Sequence, residues 1–262
     1  MNAVPPTALP PVDADLERRF GGLRRLYGDD GYARLRAARV ALVGVGGVGS
    51  WAAEALARSG VATLVLIDLD HVGESNINRQ VQALDATLGQ AKVQALRERI
   101  AQIHPACAVH AVEEFADAEN WPGLLPTPVD LLIDACDQVR AKAVLAAWAL
   151  AQGVSLVTVG AAGGKRKAQA VEVDDLANAT HDPLLAALRQ RLRQHHGAAR
   201  KGLIGVRCVF SREPVREPDG GCDVDGSLNC HGYGSTVSVT ATFGLVAAGE
   251  AVESLVAGGR RA

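Results

Sequence analysis

The run Gly44-Val45-Gly46-Gly47-Val48-Gly49 constrains this chain more than any other stretch, because of what flanks it. Residues 40–43 before it are a short β-branched-rich run, and residues 50–59 after it place Trp51, Ala55 and Leu56 at helical spacing. The predicted order is strand, turn, helix. Glycines at such a turn let backbone approach a ligand, and the helix start offers unpaired N–H groups and roughly half a positive charge to a phosphate. The loop therefore predicts a bound nucleotide whose most negative part lies against the glycines. A plain tight turn is the alternative, and the agreement of context and spacing weighs against it.

The same alternation continues downstream. Gly60 ends the first helix, and residues 63–67 form a second apolar run that closes in Asp68-Leu69-Asp70. A helix over about 91–104, strands over 107–112 and 129–135, a helix over 139–152 and a strand over 155–159 follow. Strands apolar at consecutive positions are buried on both faces, so the predicted fold class is α/β: a Rossmann-like, mostly parallel sheet with helices on both faces. After Gly160 the regular pattern ends. A strand near 170–173, a helix over 183–194, a strand candidate over 204–210, a Gly-, Pro- and Asp-rich loop over 213–232 and a long apolar helix over 235–256 read as a C-terminal extension of the same domain. The expected organisation is a disordered leader over 1–15 and a single domain over 16–262. Its nucleotide-binding core covers about 35–160 and its substrate-side elaboration about 161–262.

Composition narrows the class further. A chain of 262 residues can bury one substantial core without disulfides, and a formal net charge of -2 leaves any contact with a polyanion to a local patch. The five cysteines form no C-x-x-C pair, which argues against a structural zinc site. Cys107, Cys136 and Cys208 stand in apolar runs, where a thiol acts as a small buried hydrophobe. Such usage fits a reducing compartment, so a cytoplasmic location is expected. The first residues have neither the basic start nor the apolar core of a signal peptide. The apolar stretch 237–249 is broken by Thr240 and Thr242 and closed by Glu250, which favours a buried helix over a membrane span. No membrane partner is expected.

The choice of nucleotide rests on polar groups beyond the glycines. Asp68, at the tip of the second strand, is placed to accept ribose hydroxyls, which suits NAD and ATP equally. Asp70 points to the same side if the strand continues, or caps the next turn. The deciding stretch is Ser75-Asn76-Ile77-Asn78-Arg79-Gln80, followed by Gly89-Gln90-Ala91-Lys92. A hydride-transfer enzyme has no use for these groups. Nucleotidyl transfer moves negative charge onto pyrophosphate, and Arg79 and Lys92 offer a planar fork and a mobile point charge to receive it. Each taken singly is also an ordinary surface residue. Asp137 ends the strand over 129–135, where it can hold magnesium, cap the following helix, or do both.

GVGGVG, DLD, SNINRQ, LGQAK and DACD, in this order and spacing, resemble the adenylate-forming family of ubiquitin-activating enzymes and bacterial activators of sulfur-carrier proteins. That resemblance covers about residues 35–160. It implies ATP and Mg2+ as cofactors, attack of a carboxylate on the α-phosphate, and a homodimer. By resemblance Gly44, Gly46, Gly47 and Gly49 form the phosphate loop, and Asp68 and Asp70 lie at the ribose. Ser75, Asn76, Asn78, Arg79 and Lys92 face the phosphates, and Asp137 faces the metal; Arg79, Lys92 and Asp137 are the catalytic set.

Further segments, Arg19-Phe20-Gly21-Gly22, Leu26-Tyr27-Gly28, Asp182-Pro183-Leu184, Cys208-Val209-Phe210-Ser211 and Thr240-Ala241-Thr242-Phe243-Gly244, resemble the tRNA-modifying branch of that family. This implies ATP-dependent ring closure of the threonylcarbamoyl group on an adenosine beside the tRNA anticodon, with tRNA as partner. Adenylation of a ubiquitin-like sulfur-carrier protein is the alternative, with sulfur-transfer proteins as partners, and an NAD-dependent oxidoreductase stands behind it. Sulfur-carrier activators commonly carry two C-x-x-C pairs, which this chain lacks. They also place an N-terminal arginine on the partner subunit's ATP, where simple alignment gives Gly22 and Arg25 is the nearest substitute.

Cys230 and His231 stand in the glycine-rich loop. By resemblance Cys230 is a candidate acyl acceptor, against an incidental thiol, and His231 a candidate base, against a polar surface residue. Lys165-Arg166-Lys167 with Arg189, Arg191, Arg193, Arg200 and Lys201 are candidates for tRNA contact, against a solvated face.

Overall fold

Strands β1 (Arg39–Val43), β2 (Thr63–Ile67), β4 (Leu131–Asp134) and β5 (Ser155–Val159) are apolar at nearly every position and are buried almost throughout. The structure, a computed structural model, describes residues 14–215 and 233–258. Among these residues β3 (Ala108–Val112), β6 (Val171–Asp175) and β7 (Arg207–Ser211) complete a sheet ordered β3-β2-β1-β4-β5-β7-β6. All pairings are parallel except β6 with β7. The direction of strand addition reverses between β1 and β4. A crevice therefore opens beyond the carboxyl ends of these two strands, where α/β sheets bind ligands.

Helices cover both faces, as the apolar runs predict. Helices α2 (Gly22–Ala37), α3 (Gly49–Arg58), α4 (Lys92–Ile103) and α7 (Val237–Val256) bury Leu35, Leu56, Leu96 and Phe243 in one core. Helices α5 (Val139–Gln152) and α6 (Pro183–His195) bury Leu145 and Leu188 in the other.

The C-terminal extension is built into these layers. Strands β7 and β6 lengthen the sheet beyond β5, and α7 lies directly on α3. Gly244 makes that approach: a methyl there would overlap the Val48 carbonyl oxygen and stand 2.9 Å from Trp51 Cβ. By length and composition α7 is apolar enough to cross a membrane, yet Val239, Phe243, Ala247 and Ala251 pack into the core. The sequence alone places no element before β1, whereas the structure has α1 (Leu16–Phe20) and α2, the latter broken at Gly28 with φ 71. Asp15, assigned above to the leader, caps α1 by accepting from the Arg18 N–H at 2.9 Å. The leader up to residue 13, and Cys222, Cys230 and His231, lie outside the described residues.

These first helices are fastened to the domain through a buried histidine. His104, 1% exposed, stacks on Phe20 with centroids 4.7 Å apart. Its Nε2 accepts from Arg36, which also donates to the Gly60 carbonyl and lies over the Phe20 ring, and Arg19 donates to the Ile103 carbonyl. Burial, reinforced by the Arg36 charge, lowers the His104 pKa. The folded state thus keeps the ring neutral where an unfolded histidine charges. This stability is complete above the ordinary histidine pKa of about 6.5 and is lost as pH falls through it toward the folded value. The Tm is expected to fall between about pH 7.5 and about pH 5.5. His104→Gln should flatten that slope, and identical slopes in the two proteins would contradict the assignment.

Candidate active site

The glycine loop leaves β1 through Gly44, whose φ of 84 suits a residue without Cβ. A methyl there would lie 2.9 Å from the Ala135 carbonyl and from Cys136 N, so the loop rests on the turn between β4 and α5. Val45 points into the core; its N–H donates to Asp68 Oδ2 at 2.7 Å, and its carbonyl accepts from Gln82 Nε2 at 3.1 Å. Among the described residues the N–H groups of Gly46 and Gly47 have no partner and open on the crevice. Gly49 is outside the crevice lining: a methyl there would overlap the Gly44 carbonyl oxygen, so its glycine serves the close start of α3.

Asp68 holds the loop with one oxygen and the Asp70 N–H with the other, at 2.9 Å. Burial raises its carboxyl above the usual range, against the pull of Lys92 and of these N–H groups. A carboxylate has about four acceptor positions, so both oxygens keep capacity for ribose hydroxyls. Asp70 faces the crevice and accepts from Lys92 Nζ at 2.6 Å. The Lys92 side chain, only 8% exposed, sits on the first turn of α4 and lines the same space.

The stretch from Ser75 is stapled to α3 by Trp51 Nε1, which donates to the Arg79 carbonyl at 2.9 Å. The Arg79 stem lies across Gly47, and its Nη1 donates to the Ser75 carbonyl at 2.7 Å. Its Nε is buried and has no hydrogen-bond partner among the described residues. Ser75 and Asn76 line the crevice, with Asn76 Oδ1 accepting from the Gly73 N–H at 3.0 Å to close its own turn. Asn78 lies outside the lining and donates to the Ser235 carbonyl at 3.0 Å, tying this wall to the segment before α7.

Asp137 is exposed at the carboxyl end of β4, faces the crevice and has no partner among the described residues. Gln138, not Asp137, occupies the capping position of α5. An open carboxylate lining the crevice is the kind of ligand magnesium takes, since that ion uses one or two protein carboxylates and completes its shell with water and phosphate oxygens. Beneath it Asp134 is fully buried. Its Oδ2 accepts from Lys142 Nζ at 3.0 Å and from the Thr158 hydroxyl at 2.6 Å, and its Oδ1 accepts from Cys136 N at 3.2 Å. Burial, with the Asp134 charge beside it, pushes the Cys136 thiol well above its ordinary pKa, which disfavours the thiolate.

The crevice has a volume of about 420 Å3, the size of a nucleotide site. Sequence reasoning missed its second wall, formed by Gly160, Ala161, Ala162, Gly163, Leu184 and Thr240, and the apolar end at Ile67, Phe115 and Ala116. The strand-end rule gives Ile67 and Gly160, but the loops and helices beyond are brought in only by folding. Asp182 sets this wall by accepting from Leu185 N at 3.0 Å and from Ala161 N at 2.9 Å. The basic run divides in two. Lys165 turns inward to the Ser211 and Glu213 carbonyls, and Arg189 and Arg193 are held by backbone carbonyls, while Arg166, Lys167, Arg200 and Lys201 stay exposed. Arg25 lies exposed on α2, away from the crevice of its own chain.

The sequence matches the ThiF family over residues 19–261. The tRNA threonylcarbamoyladenosine dehydratase of Escherichia coli is 42% identical over 252 residues, covering 92% of this chain and 94% of that protein. The Haemophilus influenzae protein of the same name is 39% identical over 245 residues, with the same coverage. A crystal structure of the Escherichia coli enzyme in complex with ATP matches with a TM-score of 0.84 at 41% identity, covering 94% of this chain and 97% of that one. The glycine loop, Asp68 and Asp70, Arg79 and Lys92, and the second wall thus lie within one continuous match, and the chain belongs to the ThiF family.

Proposed function

We propose that this protein is an ATP-dependent tRNA threonylcarbamoyladenosine dehydratase. It adenylates the threonyl carboxylate of the modified adenosine next to the anticodon and closes the side chain into a ring. The observation that carries this reading is that the likeness to the dehydratases covers 92% of the chain and so extends well beyond the nucleotide core.

The chemistry follows from the two walls. ATP phosphates lie against the free N–H groups of Gly46 and Gly47 at the start of α3, and Asp68 receives the ribose. The threonyl carboxylate enters along Gly160–Gly163 and attacks the α-phosphorus, so that pyrophosphate leaves and an acyl-adenylate forms. The substrate's own carbamoyl nitrogen then attacks the acyl carbon, releasing AMP and closing the ring. The oxygen of the formally lost water departs within AMP. Arg79 and Lys92 take up the charge that builds on the departing pyrophosphate; a cation about 4 Å away contributes a few kcal/mol at intermediate dielectric. Asp137 is the residue to hold Mg2+, which when bound screens the phosphate oxygens and stabilises the leaving group. The exposed Arg166, Lys167, Arg200 and Lys201 supply local positive charge for tRNA on a chain of net charge -2. A homodimer acting in the cytoplasm belongs to the same proposal, supported by the family resemblance and the cysteine usage.

Mass spectrometry of tRNA nucleosides after incubation with protein and ATP tests the reading. A product lighter by one water is expected, and unchanged nucleosides beside pyrophosphate exchange driven by a sulfur-carrier protein would overturn it. Arg79→Ala and Lys92→Ala are each expected to lower kcat by about 100- to 1,000-fold with little change in tRNA affinity. Asp137→Asn should raise the Mg2+ concentration needed for half-maximal turnover, measured by titration at saturating ATP.

A further inference from the structure

Lys142 is fully buried on the first turn of α5, and the activity proposed above does not use it. Its neighbours on the inner side of the helix, Ala141, Ala143, Leu145 and Ala146, are apolar, so the packing of α5 asks for no charge there. Replacing a buried ion pair by apolar residues is often neutral or stabilising, which makes this pair an unneeded burden for folding alone.

Its acceptors explain its place. Lys142 Nζ donates to Asp134 Oδ2 at 3.0 Å, to the Thr158 hydroxyl at 3.2 Å and to the Val159 carbonyl at 2.8 Å. Strands β4 and β5 pair from Leu131 with Ser155 to Asp134 with Thr158. Beyond that point the two chains part. From β4 the chain enters the turn 135–137 that carries Asp137, and from β5 it enters 160–163, the second wall of the crevice, along which the proposed reaction brings the carboxylate. The ammonium spans this fork. Asp134 passes the constraint on, since its other oxygen accepts from both N and Sγ of Cys136, next to Asp137.

We propose that Lys142 and Asp134 form a positioning pair that sets the metal-binding turn 135–137 against the carboxylate-receiving wall 160–163, and thereby governs transfer and not ATP affinity. The proposal rests on the dehydratase reading for the identity of the carboxylate. ATP affinity is largely spared because Val45 keeps two supports apart from the pair, Asp68 and Gln82, even though Gly44 rests on the same turn 135–137. Burial of Lys142 would depress its pKa, but the Asp134 carboxylate outweighs this and holds it above the ordinary lysine value.

The test compares wild type with Asp134→Asn/Lys142→Met, which removes both charges, and with Lys142→Met, which strands one. The single variant is expected to lose Tm markedly and the double variant to recover most of it. In the double variant ATP should bind within about 2-fold of wild type, while kcat on the modified tRNA falls about 10-fold or more, since misplacement near 1 Å suffices for such a loss. Hydrogen exchange should rise at 135–137 and 160–163 together while β4 and β5 stay protected. Wild-type kcat with unchanged exchange would overturn the proposal, as would ATP affinity lost in step with kcat. If the double variant does not fold, Thr158→Val, which keeps both charges and removes the shared hydroxyl, is expected to show the same split at smaller amplitude; its absence there counts equally against the pair. Should wild-type protein leave the tRNA unchanged, the dehydratase reading fails, and the exchange and ATP measurements still decide the positioning role.

Discussion

One buried carboxylate determines how this chain can hold a nucleotide. Asp68 ends β2 and accepts the Val45 N–H from the loop that ends β1, so the tips of two neighbouring strands are locked by a charge-assisted hydrogen bond of 2.7 Å. With Val45 turned inward, Gly46 and Gly47 are left with their N–H groups facing out at the positive end of α3. The helix N-terminus offers the charge, and Asp68 fixes where it points. Gly44 completes the arrangement by resting on the β4–α5 turn, which brings Asp137 to the same opening.

Much of this was legible in the sequence, and the reason is physical. Central parallel strands have no wet face, so they read as unbroken apolar runs; strands 63–67 and 155–159 are assigned identically by sequence and structure, as is the helix 139–152. Helix α2 escaped the same reading because it is polar, broken at Gly28, and buries little beyond Tyr32 and Leu35. It is held by the contacts around His104 together with Leu23, Tyr27 and Leu35, which pack on the core. Asp137 and Lys92 could be placed at the crevice because strand ends and helix starts fix position. Side-chain direction in the irregular stretch 74–79 could not be read, and Asn78 turns to Ser235 while Arg79 stays at the crevice.

Charges show the same limit. Lys165 and Arg189 read as members of a surface run, yet both turn inward to backbone carbonyls. Lys142 reads as one charge in an alanine-rich helix, and only the closure of α5 over β4 and β5 shows that it meets Asp134, Thr158 and Val159. Lys142 and Lys165 bind carbonyls at the carboxyl ends of β5 and β7, the side of the sheet on which the site is built. The exposed cations left over are the ones available to a polyanionic partner.

The account holds that both walls of the crevice serve one reaction, in which a carboxylate oxygen bonds to the α-phosphorus of ATP. Oxygen-isotope tracing reads that bond directly. With the threonyl carboxylate of the modified tRNA labelled with heavy oxygen and ATP unlabelled, ring closure through an acyl-adenylate must deliver one labelled oxygen to the AMP released. Label found in inorganic phosphate, or product formed with unlabelled AMP, would contradict the account.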